Sequence, residues 1–448
     1  MPNPTAPLLL RVAQAKPIAR QLRAVAAKAW PVRFSHVTEA AQPLLTAALA
    51  HEVSCTLWVI CATVRAQETF YESLLNWKPK ALFLPEAEFA AVENILPDPE
   101  IAAERLALLS TIAREPGPHL IVATRASLSQ PAPKIDALQR SASRIKRGAG
   151  QTMDGLISRL AENGYERVAQ VATRGQFAVR GGILDLFSWQ AQLPVRAEFF
   201  DDEIESLREF DLDTQTSIRQ LQSIDLLLGT AEDQEGTVGD YIASEHLRVA
   251  LEPEPGDDAH IFLSEGWLEN AATPENFDGA FQESDLAEFA VGDFILLEAK
   301  RAQFAARLAE WRAANETIVI YFQTEGEIER FREIMLPASG ALDGIELAVG
   351  TLARGFYFPA GKLVILSAAE LFGRSTAHGR RRLQRAEQQG RNRAQIDFSE
   401  LNEGDLVVHL EHGVGRFLEL KKIPAVGGGE QEVLTLEFAD EARLYVPL

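Results

Sequence analysis

The stretch "RGQFAVRGGILDLFSW" (Arg174–Trp189) holds two short runs, "QFAVR" and "ILDLF", on either side of the pair Gly181-Gly182. Such alternating, apolar runs mark strands. A glycine pair supplies the positive φ that a two-residue hairpin turn demands. The hairpin carries two arginines, Arg174 and Arg180, in an otherwise apolar setting. They either pair with neighbouring carboxylates such as Asp185 or Glu198, as surface arginines commonly do, or present guanidinium forks to the carboxylates of a partner. The residues alone leave both open.

Around this hairpin, residues 129–221 read as a small α+β domain. A helix over "TMDGLISRLAENGY" has Asp154 in its first turn and Gly164 just past its end, both favourable placements. The runs "RVAQVA", "QFAVR", "GILDLF" and "VRAEFF" follow as antiparallel strands. Residues 1–128 are α/β: the strands "TLWVICAT" and "HLIVATRASL" flank the helix "EIAAERLALLSTIARE", an order that predicts a parallel sheet. Residues 222–281, with the loop "EPEPGDD" and the strand "EHLRVALE", are assigned to this first domain as its second segment. Residues 282–372 return to α/β order. The apolar runs "DFILLEA", "TIVIYFQ" and "KLVILSAAELFG" alternate there with helices from about Lys300 to Asn315 and over "EGEIERFREIM". Residues 373–398 form an Arg-rich linker with Arg374, Arg380, Arg381, Arg382, Arg385, Arg391 and Arg393 against Glu387. Helix formers dominate it and aromatics are absent, so a solvated connector is favoured over a nucleic-acid contact. Residues 399–448 read as strands of a small β-barrel.

A chain of 448 residues exceeds one ordinary core, and three or four domains are expected. With 46% hydrophobic and 24% charged residues it has a globular composition. Its net charge of −20 repels duplex DNA on average, so protein partners come first and DNA contact is indirect. No run reaches the length of a membrane span and no signal peptide is recognisable at the start. Cys55 and Cys61, the two cysteines, share a strand face about 20 Å apart, beyond disulfide reach. A reduced, cytoplasmic setting is the expectation.

Catalytic motifs are not found. A phosphate-binding loop needs G-x-x-x-x-G-K-[ST], but "HVTEAAQPLL" ahead of the first long strand has neither glycine nor lysine. Gly361-Lys362 is followed by Leu363, with Gly355 one position out of register. His409 and Glu411 share a strand face while His412 turns away, a poor metal site. No cofactor, no metal and no catalytic residue is therefore expected on this chain.

The segments "GYERVAQVATRGQFAVRGGILDLF" and "PVRAEFFDDEIESLREFDLDTQTS" resemble the second domain of the transcription-repair coupling factors, shared in outline with the excision-repair helicase UvrB. "GDLVVHLEHGVGRFLEL" with "LEFADEARLYVPL" is similar to the RNA-polymerase-interacting domain of that family, related to CarD-type regulators. The resemblance implies a multidomain α/β and α+β fold. A UvrB-like degenerate helicase-type module would carry an inserted α+β domain, followed by a second α/β domain and an incomplete SH3/Tudor-like barrel. It implies UvrA binding through Arg167, Arg174 and Arg180, and contact with the RNA polymerase β subunit through Leu420, Lys421 and Ile423. Leu420 and Ile423 have an equal claim to be barrel core, because small barrels bury alternate residues. ATP and Mg belong to the translocase motor that follows in the family, and without it the chain reads as a fragment or truncated product. Two other readings stand beside this one. A UvrB-like excision-repair helicase subunit is opposed by the missing phosphate loop, and a CarD-like transcription regulator by the UvrB-like domain.

Overall fold

The structure is a computed structural model that describes residues 5–87, 99–115, 117–148, 150, 152–212, 214–228, 235–266, 268, 281–283, 293–336, 340 and 342–372. Of the C-terminal segment it describes 404, 406–409, 413–424, 430–437 and 443–447. The chain divides into two compact units, residues 1–378 and 379–448.

The first unit is built on a six-stranded sheet in the order Val32–Phe34, Ile261–Leu263, Leu247–Leu251, Leu57–Cys61, Leu120–Thr124, Leu82–Phe83. Every pairing is parallel. Leu57–Cys61 and Leu120–Thr124 are buried along their whole length, which accounts for their continuous apolar runs. Cys61 is buried in its strand, Cys55 lies ahead of it, and both are free thiols. The strand expected at "EHLRVALE" joins this sheet through Leu247–Leu251. Three strands of two or three residues (Val32–Phe34, Leu82–Phe83 and Ile261–Leu263) have no visible periodicity in the sequence.

A second, five-stranded sheet runs Gln282–Glu283, Phe356–Phe358, Leu363–Ser367, Thr317–Phe322, Glu346–Val349. Its last three strands are parallel and the first two antiparallel. One apolar core takes in both sheets. Val59 and Val249 of the first and Val319, Tyr321 and Ile365 of the second join it, together with Leu8, Leu9 and Val12 of helix Thr5–Gln14 and Leu44, Leu45 and Ala48 of helix Gln42–Glu52. Eight consecutive residues, Gln42 to Leu49, are buried. A helix covered on all sides keeps no amphipathic stripe. The run "DFILLEA" departs from the strand reading: Asp293–Leu296 is a short helix. Only Phe294 is buried, against Phe304, Phe331 and Phe372, while Ile295 and Leu296 face outward. One docked ring is what a helical turn supplies; a core strand would bury alternate residues.

The C-terminal unit is a four-stranded antiparallel sheet in chain order, Leu406–His409, Gly413–Pro424, Glu430–Glu437, Arg443–Pro447. Among the described residues it is an open meander whose first and last strands do not pair, so it is not a closed barrel, and the incomplete SH3/Tudor-like barrel expected from the sequence is neither shown nor contradicted. Closure requires that pairing, and alternation within each strand carries no information about it. A bulge at Leu418 interrupts the register between Phe417 and Glu419. His409 ends its strand opposite Gly413, while Glu411, His412 and the Arg-rich linker lie outside the described residues. Among the described residues no helix is long and apolar enough to cross a membrane.

A polar seam joins the two sheet regions. The Asn76 amide donates to Thr351 O at 2.7 Å and accepts from Thr351 N at 3.1 Å, and the Trp77 indole donates to the Tyr321 hydroxyl at 3.1 Å. Gly350 makes this closeness possible, since a Cβ there would stand 2.3 Å from Asn76 Oδ1 and 2.7 Å from Tyr321 Cδ1. Gly350→Ala is expected to lose about 2 kcal/mol in urea unfolding, the scale of overpacking. Gly340→Ala, with open space around it, is the control and should change little. A second prediction concerns pH. His246 Nδ1 accepts from the Trp58 indole at 3.3 Å and from Ala243 N at 3.2 Å, so this nitrogen must be unprotonated. Burial lowers the His246 pKa below 6.5, with Glu245 opposing the shift and His119 adding to it. A depressed folded pKa contributes stability above the unfolded value, lost as pH falls through the folded one. Unfolding free energy should therefore decline as pH falls below about 6.5, and His246→Gln should flatten that decline.

Candidate protein-binding site

The hairpin around Gly181-Gly182 lies within a second six-stranded sheet of the first unit. Its order is Ser217–Gln220, Glu203–Phe210, Val195–Phe200, Ile183–Phe187, Gln176–Arg180, Glu166–Arg167. All neighbours are antiparallel except the last pair. Helix Met153–Glu162, capped by Thr152 Oγ1 on Gly155 N at 3.1 Å, covers one face. It packs Leu156 and Leu160 against Phe177, Leu184, Leu186, Val195 and Leu207. Arg180 pairs with Ile183 around the turn, and Gly181 has φ +59°. Gly182 O accepts from Phe199 N at 2.8 Å, and a Cβ on Gly182 would come within 3.0 Å of Phe199 O. The first glycine thus serves the turn and the second a close approach of backbones.

The run "RVAQVA" departs from its strand reading, since only Glu166–Arg167 is a strand. The Gln176 side chain takes the place of a neighbouring strand beyond it: its Oε1 accepts from Ala172 N and Thr173 N at 3.0 and 3.1 Å.

Geometry resolves where each arginine goes. Asp185, only 2% exposed, is held by Arg196 through bonds of 2.6 and 2.8 Å. These bonds in turn push the Arg196 pKa up. Glu198 is held by Arg208 and by Ser206. Both carboxylates that could have answered Arg174 and Arg180 are therefore taken. Arg174 binds Glu100 through two 2.7 Å bonds, donates to Ala191 O at 2.9 Å and lies 5.0 Å over the Phe187 ring. It is an internal residue. Arg180 is exposed and makes one bond, to Ala169 O at 3.1 Å, which leaves other guanidinium donors for a partner. Arg167 is exposed on the edge strand. It pairs in register with Phe177, so it emerges on the helix-covered side, whereas Arg180 alternates to the other face. The two share an edge but not a face.

One surface residue was not singled out in the sequence. Phe200, 70% exposed, follows the half-buried Phe199 at the end of its strand. Its face is that of Arg180, Ile183 and Glu198, about two strand spacings, or 10 Å, across the sheet from Arg180. Exposed Asp201 and Asp202 follow it in the turn, and exposed Glu203 begins the next strand. The signal was present in "AEFFDDEI", because two successive aromatics on a strand cannot both face the core. An aromatic knob beside a cation and carboxylates is the composition of a binding hot spot.

At the N-terminal sheet, the connection from Val32–Phe34 into helix Gln42–Glu52 stands where an α/β protein of this type would hold phosphate. The chain fills it with its own side chains. Glu252 accepts from Gln42 Nε2 at 2.6 Å, from Ser264 Oγ at 2.8 Å and from Glu265 N at 2.8 Å. A carboxylate held here opposes a second anion. Gly361 and Lys362 lie in a 3₁₀ turn and its cap before Leu363–Ser367, with Lys362 in the left-handed region.

In the C-terminal unit, Leu420, Lys421 and Ile423 all lie on Gly413–Pro424, in register with Leu434, Val433 and Gln431. Lys421 is exposed; the side chains of Leu420 and Ile423 lie outside the described ones. Leu406–His409 pairs only as far as Arg416. Among the described residues, the edge of Glu419–Pro424 opposite Glu430–Glu437 is thus without a strand.

Family models match two parts of the chain: a UvrB interaction domain over residues 144–230 and a CarD-like/TRCF RID domain over residues 401–448. Along most of its length the chain is also similar to proteins named transcription-repair-coupling factor. That of Bacillus subtilis (strain 168) is 24% identical over 91% of this chain and 43% of that protein. The Escherichia coli (strain K12) protein is 26% identical over 82% of this chain and 40% of its own length. The Mycobacterium tuberculosis (strain CDC 1551 / Oshkosh) protein is 27% identical over 91% of this chain and 43% of its own length. The chain thus spans about two-fifths of the length of these relatives.

Proposed function

We propose that this chain is the adaptor part of a transcription-repair coupling factor, which recruits UvrA through the sheet at residues 144–230 and engages the RNA polymerase β subunit through its C-terminal strands. The observation that carries the reading is the exposed pair Arg180 and Phe200 at one end of a sheet whose Asp185 and Glu198 are matched internally by Arg196 and Arg208. Within a domain that matches the UvrB interaction family, uncommitted guanidinium donors and an exposed ring are the groups left for a partner. Arg167, on the same edge but the opposite face, extends the surface if the partner wraps the strand. Binding rather than chemistry is the role of this chain. The reading assigns no ATP or Mg to the first sheet, supported by the Glu252 carboxylate held at the start of helix Gln42–Glu52, which would oppose a phosphate, and DNA is reached only through partners. A cytoplasmic setting goes with this role.

At the C-terminal strands the mode of contact is strand addition, in which open backbone groups give affinity and side chains give specificity. The open edge from Glu419 to Pro424 suits it, with Leu420, Lys421 and Ile423 at the contact.

Three outcomes test this reading. Arg180→Ala and Phe200→Ala should each cost about 2 kcal/mol in UvrA binding by calorimetry, the scale of an interfacial anchor, with unfolding midpoints unchanged. Wild-type affinity in both variants would return these residues to ordinary surface. Ile423→Arg should abolish capture of the polymerase β subunit while the circular dichroism of the chain stays intact; loss of the fold would instead make Ile423 a core residue. Titration with ATP and Mg should give no saturable heat at micromolar concentration, and saturable binding lost in Gln42→Ala would contradict the adaptor role.

A further inference from the structure

Helix Pro99–Arg114 belongs to the N-terminal sheet region, yet both of its ends are tied by ion pairs to the UvrB interaction domain. Glu100, in its first turn, takes the bidentate fork of Arg174; the two side chains are 18% and 12% exposed. Arg114, in its last turn, binds Asp225 at 2.9 Å, and Asp225 is also held by Arg144 at 2.6 and 2.9 Å. The polarity is the one the helix dipole favours, acid at the start and base at the end. The two ties are fourteen residues apart, about 21 Å along the axis. Between them Leu106 and Leu109 share an apolar cluster with Trp189 and Leu227 of the domain.

Arg174 stands at the base of the hairpin whose tip carries Arg180. Gly175 and the strand Gln176–Arg180 separate them, the strand alone spanning about 13 Å. At the base Arg174 gathers three parts of the chain: Glu100, the Phe187 ring and Ala191 O. Gly175 beside it donates to Phe187 O at 2.8 Å and has φ +78°, in a place where a Cβ would lie 2.2 Å from the Trp189 ring. A partner seated on Arg180 and Phe200 does not reach this closed corner.

We infer that Arg174 is a positioning residue: with Glu100 it forms one jaw of a two-ended clamp on helix Pro99–Arg114 that holds the hairpin rigid for the partner at its tip. This assignment rests on the proposed UvrA contact for its functional consequence, but the clamp itself is read from the intramolecular contacts alone. A direct contact and a positioning role differ in what Glu100 does, since Glu100 is remote from the tip.

The full chain is compared with Glu100→Gln, Arg174→Ala, the double variant, and the exchange Glu100→Arg with Arg174→Glu. Two readouts are taken: amide hydrogen exchange over residues 174–191 and affinity for UvrA. The clamp predicts that Glu100→Gln and Arg174→Ala both speed exchange at least tenfold and weaken UvrA binding three- to tenfold. The double variant should match the worse single, and the charge exchange should recover most of both losses. If Arg174→Ala weakens UvrA binding while Glu100→Gln leaves binding and exchange at wild-type values, Arg174 is a direct contact and the clamp is refuted. Unchanged exchange in both single variants refutes it as well. If the wild-type chain does not bind UvrA at all, the proposed function fails, and the exchange measurement still decides the clamp.

Discussion

A carboxylate taken out of water must be paired, and Asp185 imposes that requirement at the centre of the sheet that carries the Gly181-Gly182 hairpin. Its place on the middle of a hairpin strand leaves it 2% exposed, and Arg196 on the adjacent strand answers it with a two-bond fork. The next row repeats the arrangement with Glu198 and Arg208. Because these pairs close within the sheet, the remaining arginines sort themselves. Arg174 turns to Glu100 on another element, while Arg180, at the turn, keeps donors free. The guanidinium donors left exposed on this sheet are thus the remainder after the carboxylates Asp185 and Glu198 are matched.

That sheet is attached to a body with its own constraint. Two sheets contribute to one core with buried helices among their residues, so neither can close its apolar surface alone. Helix Gln42–Glu52 pays for this arrangement with its amphipathic face, and the Asn76–Thr351 and Trp77–Tyr321 bonds satisfy the polar groups trapped at the seam. The same packing bears on ligand chemistry. At the start of helix Gln42–Glu52, Gln42 is tied to Glu252 in an internal hydrogen-bond network, and a carboxylate held there opposes a second anion.

The C-terminal unit follows a simpler logic. Its strands connect in sequence, each pairing with the next, and the long strand Gly413–Pro424 outruns its first neighbour. A strand with one side of its backbone open is a hazard unless something covers it. Under the proposed adaptor role, that open edge is where a partner strand would add.

Local chemistry was legible in the sequence wherever it decides structure over a few residues. Gly181-Gly182 specified a hairpin turn, Gly164 followed a helix end, and "TLWVICAT" and the first half of "HLIVATRASL" announced buried parallel strands, whereas Arg125–Leu128 of the latter run turned helical. The paired aromatics of "AEFF" held the exposure of Phe200. Periodicity and turn geometry are short-range properties, so short windows record them. Tertiary structure alone decided the partner of Arg174, because Glu100 is seventy-four residues away and no spacing rule links them. It also decided that "DFILLEA" would dock one ring as a helical turn, that three strands of two or three residues would join a sheet, and that Arg167 and Arg180 would face opposite ways. Ion pairing and burial are set by which surfaces meet in space, and that is a property of the assembled cores.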